Sequence, residues 1–395
     1  MLNRSSVFLD YASTTPVDPR VIDAMLPFFD QNYGNSSSIH QLGQQAENAL
    51  EKSRQTIANI IGARTKEIIF TSCGSESDNL ALRGVAFAQR EQKSASHILI
   101  SAAEHHAVSK TAFQLGHLHG FEVEFIPVDQ FGIVDPQEVK KRIRDETVIV
   151  SIIFANNEIG SINPIREIGG ICRSQGVLFH TDAVQAAAHL PIDVEYLNVD
   201  LLSIGAHKFY GPKGVGALYI REGTPIFPVQ TGGGQELNLR AGTHNIPLIV
   251  GMEKAFELAQ GNHEERNTYY SDMRDLLFSA IPETIPSTKI TGHPSQRLPN
   301  HASFAFKDVD GNTLLMMLDA SGFACSSGSA CKTGSPEPSE VLLAMGLRPS
   351  WALGSLRVTL GQDTSSEDLE RFLDVLPKLV SQVRELGKSN TSNHQ

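Results

Sequence analysis

The chain has 395 residues, 41% of them hydrophobic, which suffices for a large core and for two or three domains. A formal net charge of −11 with no basic block argues against nucleic acid as a partner. Four scattered cysteines argue against a disulfide framework and suit a reducing cytoplasm; the opening residues MLNRSSVFLDYASTTPVD do not read as a secretory leader, and no apolar run reaches the ~18 residues of a membrane span.

In chain order, seven short apolar runs predict strands: EIIFTS (67–72), HILIS (97–101), EVEFIPV (122–128), TVIVSIIFA (147–155), VLFHTDA (177–183), LLSIGA (201–206) and GALYIR (216–221). Helical patterns such as ESDNLALRGVAFAQ, AVSKTAFQLGHL, DPQEVKKRIRD and IREIGGICRSQG lie between several of them. That alternation predicts an α/β fold, a mostly parallel seven-stranded sheet flanked by helices. From about residue 262 the texture changes to a long polar helix, weaker strand signals and a C-terminal helix, which predicts a smaller α+β domain. The expected division is 16–261 against 1–15 with 262–395.

Chemistry in such sheets gathers at the carboxyl ends of the strands, so the residues there carry the functional reading. After FTSC comes GSESDN, where Gly74 and Ser75 open a helix and offer backbone N–H groups and a hydroxyl to one phosphate monoester; a plain helix cap explains them as well. After HILIS, His105 or His106 could lie over an aromatic ring. A metal reading of the histidines lacks a second ligand cluster, so none is expected. Asn156 and Asn157 are turn formers or partners of a phenolic oxygen. Asp182 caps the next helix or holds a protonated ring nitrogen, with Gln185 one turn on. Lys208, beside His207, Phe209 and Tyr210, is a solvated surface residue or a desolvated amine suited to binding an aldehyde. In GGGQELNLRAGTHN, Arg240 and Thr243 are phosphate contacts or parts of a flexible connection.

The run SSGSACKTGSPEP presents Cys331 with almost no packing material around it, so a mobile loop of about 325–340 is expected to carry a reactive thiol. Arg357, in the strand GSLRVTLG, needs an anion; a substrate carboxylate and a surface edge-strand charge are the alternatives.

The series LDYASTTP, YGNSSSIH, TSCGSESDN, EHHAV, ANNEIG, HTDAVQ, AHKFYGPKG, RAGTHN, SSGSAC and LRVTLG resembles the cysteine desulfurases, class V members of the fold-type I pyridoxal phosphate transferases, from about Leu9 to Gly361. The Cys331 loop is similar to the subgroup linked to iron–sulfur cluster assembly. The resemblance implies removal of sulfur from L-cysteine to give L-alanine and a persulfide on Cys331. It implies pyridoxal 5'-phosphate bound by Lys208, with Asp182 on the ring nitrogen, His105 over the ring, and Asn157 and Gln185 at its phenolic oxygen. Gly74, Ser75 and His207 would bind the phosphate with Thr243 of a second subunit in a homodimer, and Ser203 is a further candidate. Asn35 and Arg357 would hold the substrate carboxylate, and Lys208 would move the Cα proton. A base or positive charge must help form the Cys331 thiolate; His105 or the cofactor is the expected helper. A transient sulfur-acceptor protein, such as an iron–sulfur scaffold, is the implied partner, and the cytoplasm the implied location. Selenocysteine lyase and class V aminotransferase are the alternatives.

Three departures stand out. Gly205 lacks the hydroxyl that relatives often aim at the phosphate; Ser36 replaces a common proline, with little effect expected; and Cys73 and Cys325 are extra thiols. Cys325 reads as a small core residue, with a disulfide or sulfur relay to Cys331 as the alternative.

Overall fold

The computed structural model describes residues 6–392 except 262, 329, 330, 333 and 334, and only the backbone of 331, 332, 335, 336 and 388–392. The Cys331 side chain, part of the expected cysteine loop, residues 1–5 and the expected boundary at 262 therefore lie outside the described residues.

The seven expected strands form one sheet. From edge to edge its order is Ile68–Thr71, Gly216–Ile220, Leu201–Gly205, Leu178–Asp182, Thr147–Ser151, His97–Ser101 and Glu122–Ile126. Only Gly216–Ile220 runs against the others. Residues along a strand alternate between the two faces. Leu99 and Leu202 accordingly join one apolar core, while Ile98, Ile100 and Leu201 join the core on the other face. Burying a side chain of that size contributes roughly 1.5–3 kcal/mol. The helices Gln41–Ile60 and Ile246–Gly261 cover the first face, and Gly74–Lys93 covers the second.

The strand expected over 147–155 stops at Ser151. Beyond it the chain turns toward the neighbouring strand, where the amides of Ile152 and Phe154 bond to the carbonyls of His180 and Asp182 at 3.1 and 2.9 Å. The apolar run continues because Ile152 and Ile153 stay buried under the site, not because the strand does.

A third apolar core lies among residues 7–383. Its sheet has three antiparallel strands in the order Ser355–Thr359, His301–Phe306, Thr288–Ile290, backed by the helices His263–Thr284, Gly311–Ala320 and Ser366–Ser392. The N-terminal strand Val7–Phe8 pairs in parallel with Phe323–Ala324, and Asp10 bridges to Thr359. The next residues thus run from this core to the carboxyl edge of the large sheet. The backbone of Cys331–Lys332 pairs antiparallel with Ser335–Pro336, a short hairpin within the segment expected to form a mobile loop. Among the described residues no helix is long and apolar enough to cross a membrane.

Candidate active site

A cavity of about 210 Å³ opens where the parallel strands end. Five of the six parallel strands deliver lining residues. Cys73, Gly74, Ser75 and Asp78 follow Thr71, His105 follows Ser101, and Ile153 and Asn157 follow Ser151. Asp182, Val184 and Gln185 end the next strand, and His207 and Lys208 follow Gly205.

Gly74 is the first residue of its helix, so its amide has no helical partner. A Cβ there would sit 2.5 Å from Val184 Cγ2, so any larger residue would displace the valine side chain from the cavity wall. Gly205 faces the same amide: a Cβ on it would lie 3.5 Å from Gly74 N and 3.6 Å from Val184 Cγ1, an ordinary contact. The missing side chain leaves room at the helix N-terminus, where the dipole favours an anion.

Lys208 Nζ donates to the carbonyls of Ala12 at 2.6 Å and Ser13 at 2.7 Å, and Gln185 Nε2 donates to Ala12 O at 2.7 Å. Burial, and then the Arg357 charge, lower the Lys208 ammonium from 10.5 to about 8 against the opposing pull of Asp10 and Asp182. Burial raises Asp182, although His105, the Val184 amide (2.9 Å) and Lys208 favour its charged form. Asp78 is pushed up further by burial and then by the nearby Asp182, and its Oδ1 has no hydrogen-bond partner. Asp78, His105 and Asp182 each bring one side-chain atom within 4.8 Å of the others.

His105 is the N-cap of the helix His106–His119. Its Nδ1 accepts the Ala107 amide at 3.1 Å, and burial lowers its pKa. The neutral ring therefore carries its proton on Nε2 and acts as a donor. It has no free basic nitrogen with which to deprotonate a thiol. His207 is lowered to about 4 by burial and then by Lys208 and Lys213.

The other expected residues stand elsewhere. Ser203 does not line the cavity; it is fully buried, with its hydroxyl 3.0 Å from His180 Nε2 in a layer beneath the site. Arg357 is buried, but Nη2 donates to Asp10 Oδ1 at 2.8 Å and Nη1 to the Asn157 carbonyl at 2.9 Å, while Nε has no partner. Its nearest anion is thus a residue 347 positions away. Asn35 and Thr243 are exposed and off the cavity wall. Arg240 Nε donates to Glu76 Oε1 at 2.8 Å.

Both ends of the Cys331 segment are tied down beside the site. Arg357 N donates to Ser326 O at 2.7 Å, and the Ser339 hydroxyl donates to Glu158, next to Asn157. Cys325 packs on the small core with its thiol pushed up by burial.

Asp78, Ile153 and Val184 line the cavity without having been singled out, and Cys73, noted only as an extra thiol, lines it too. For Asp78 a signal existed: it lies four residues after Gly74, hence on the same face of the helix. A larger cavity, about 670 Å³, borders Ser36, Arg54, Glu236 and His244; there Arg54 and Glu236 already satisfy each other at 2.8 Å, and none of the strand-end residues reaches it.

Residues 7–372 match the family described as Aminotransferase class-V. A cysteine desulfurase IscS of Methanosarcina thermophila is 48% identical over 382 residues, 97% of this chain and 94% of the relative. A solved NifS-like protein superposes with a TM-score of 0.89 at 37% identity, covering 95% of this chain and 99% of the other. A solved structure of SspA in complex with cysteine superposes with a TM-score of 0.79 at 35% identity, covering 89% and 98%.

Proposed function

Since the chain belongs to the class V aminotransferase family and to its cysteine desulfurases, we propose how its own residues carry that reaction. The substrate is L-cysteine, the products are L-alanine and a persulfide on Cys331, and the sulfur passes to an acceptor protein for iron–sulfur cluster assembly. The observation that carries the residue assignment is the convergence of Lys208, Asp182, His105 and the Gly74 helix N-terminus on one cavity.

The cavity fits pyridoxal 5'-phosphate. It offers a desolvated amine, a buried carboxylate for a ring nitrogen, and an unpaired helix amide beside the space at Gly205. Bound there, the cofactor supplies an electron-withdrawing ring that no side chain can replace. Lys208 would hold its aldehyde, Asp182 its ring nitrogen, and Asn157 and Gln185 its phenolic oxygen, with His105 over the ring. Gly74, Ser75 and His207 would grip the phosphate, joined by Thr243 of the partner subunit in a homodimer. The exposure of Asn35 and Thr243 supports a second subunit there.

Once the substrate amine has taken its place, Lys208 Nζ is free to accept the Cα proton and later return it. Arg357, its charge shared with Asp10, and Asn35 hold the substrate carboxylate. The Cys331 thiolate attacks the substrate sulfur. An S–S bond forms, the Cβ–S bond breaks with its electrons retained on carbon, and protonation gives alanine. His105 Nε2–H can donate in this step, and thiolate formation falls to the charged groups of the bound state. The distinct apolar clusters support a division into a cofactor-binding domain, 16–261, and a smaller one, 1–15 with 262–395, that brings Cys331 to the cavity. We place the enzyme in the cytoplasm.

The test is to treat the purified protein with L-cysteine and no reductant, count alanine, and locate added sulfur by mass spectrometry. One alanine per persulfide on Cys331 is expected. Alanine without sulfur on Cys331 would overturn the assignment, and exclusive turnover of L-selenocysteine would replace the substrate.

Gly205 gives a further expectation. In Gly205→Ser the new Cβ fits at ordinary contact distances, 3.5 Å from the Gly74 amide nitrogen where we place the phosphate, so a hydroxyl there is within reach of it. One hydrogen bond to a charged group contributes roughly 1.5–3 kcal/mol, so the cofactor dissociation constant should fall about tenfold or more. An unchanged constant in a titration of the cofactor-free protein would show that the phosphate lies elsewhere.

A further inference from the structure

Segment 235–244 carries an unusual local cost. Glu236, Leu237 and Asn238 have φ of +46°, +56° and +65°, three consecutive left-handed residues with no glycine among them. Such backbone persists only where the surroundings over-determine it. Here the Glu236 side chain does so. Its carboxylate accepts Arg54 Nη1 and Nη2, each at 2.8 Å, and the Phe70 amide at 2.7 Å. Burial alone would raise its pKa, but Arg54 and then His244 hold it at about 2.

The same carboxylate takes a further bond. His244 Nε2 lies 2.8 Å from Glu236 Oε1, and His244 Nδ1 lies 2.9 Å from Ser36 Oγ. Nε2 facing an ionised carboxylate must carry the proton, so in the neutral ring Nδ1 accepts from the Ser36 hydroxyl. Ser36 is only 8% exposed, whereas its neighbour Asn35 and the neighbour of His244, Thr243, are both exposed. Farther along the segment, the Arg240 bond to Glu76 fastens it to the helix that begins at Gly74.

We infer that the hydrogen-bonded chain Ser36–His244–Glu236 is a brace that sets where Asn35 and Thr243 stand, making Ser36 and His244 positioning residues for the substrate carboxylate and for the partner subunit's cofactor phosphate together. The inference rests on the roles proposed above for Asn35 and Thr243. Its physical content is coupling: two exposed side chains, 208 residues apart in sequence, hang from one short bond. Loosening that bond frees both at once, without touching Lys208, Asp182 or any residue that lines the cavity.

The experiment compares Ser36→Ala, His244→Ala and His244→Gln with Asn35→Ala and Thr243→Ala, all as the cofactor-loaded enzyme. The measurements are KM for L-cysteine, kcat, the cofactor dissociation constant and the thermal midpoint. Ser36→Ala should raise KM and the cofactor dissociation constant together, each severalfold, with kcat within twofold. His244→Ala should do the same, and His244→Gln, which can still donate to Glu236, should recover part of the loss. A merely structural role would move the thermal midpoint and leave KM and cofactor affinity alone; that result overturns the brace. If Asn35→Ala raises KM and Thr243→Ala weakens the cofactor while Ser36→Ala changes neither, the brace is wrong and the reading of the two contact residues stands. If Asn35→Ala and Thr243→Ala are themselves silent, that reading fails and the brace goes with it.

Discussion

Lys208→Ala should lower turnover of L-cysteine by about 10⁴-fold, measured as alanine released, because in the proposed assignment one amine serves twice, holding the cofactor and moving the substrate proton. The visible absorbance of the lysine-bound cofactor should disappear with it. The wild-type amine also predicts a pH dependence. Burial and Arg357 lower its pKa from 10.5 to about 8, so the uncharged form, which alone can bind an aldehyde, is about one molecule in ten at pH 7. Uptake of cofactor by the cofactor-free protein should therefore rise with pH through about 8 and then level off. An uptake curve centred near the ordinary lysine value of ~10.4 would show that the amine is solvated. A Lys208→Ala protein keeping more than a tenth of the activity would remove Lys208 from the chemistry.

The positions of the strands were legible because a strand buried on both faces must be apolar throughout, and seven such runs are separated by helical patterns. The places where the reading stopped short have physical causes. Period-2 alternation puts Ser203 on the same face as Gly205, but two residues also mean roughly 6.6 Å back along the strand. That distance takes its hydroxyl out of the cavity and down to His180. Asp78 drew no reading, because a polar residue within a helical pattern does not announce its burial; its helix lies on the sheet and Asp78 is buried against the site. The anion beside Arg357 is Asp10, and no local pattern links residues brought together by two chain segments meeting at a sheet edge. Ser36, expected to matter little, makes a hydrogen bond to a loop that only the folded chain brings near.

The second large effect concerns which of two buried acids holds the charge. Asp78 and Asp182 lie close together, and burial raises both, so ionising one opposes ionising the other. The surroundings are not symmetric. Asp182 accepts the Val184 amide and stands near Lys208 and His105, whereas Asp78 has the Ser203 hydroxyl and an oxygen with no partner. The negative charge therefore belongs to Asp182, and Asp78 stays protonated beneath it. Asp182→Asn removes the charge that we assign to a protonated ring nitrogen, and kcat should fall roughly 10²–10³-fold, the usual cost of losing one preorganised electrostatic partner. Asp78→Asn replaces a neutral acid by a neutral amide of the same shape, and kcat should stay within a fewfold. The comparison separates charge from shape, because both substitutions are isosteric and both sit in the same cavity wall. The reverse pattern, a tolerant Asp182→Asn and a crippled Asp78→Asn, would put the charge on Asp78 and move the ring nitrogen to the other side of the cavity.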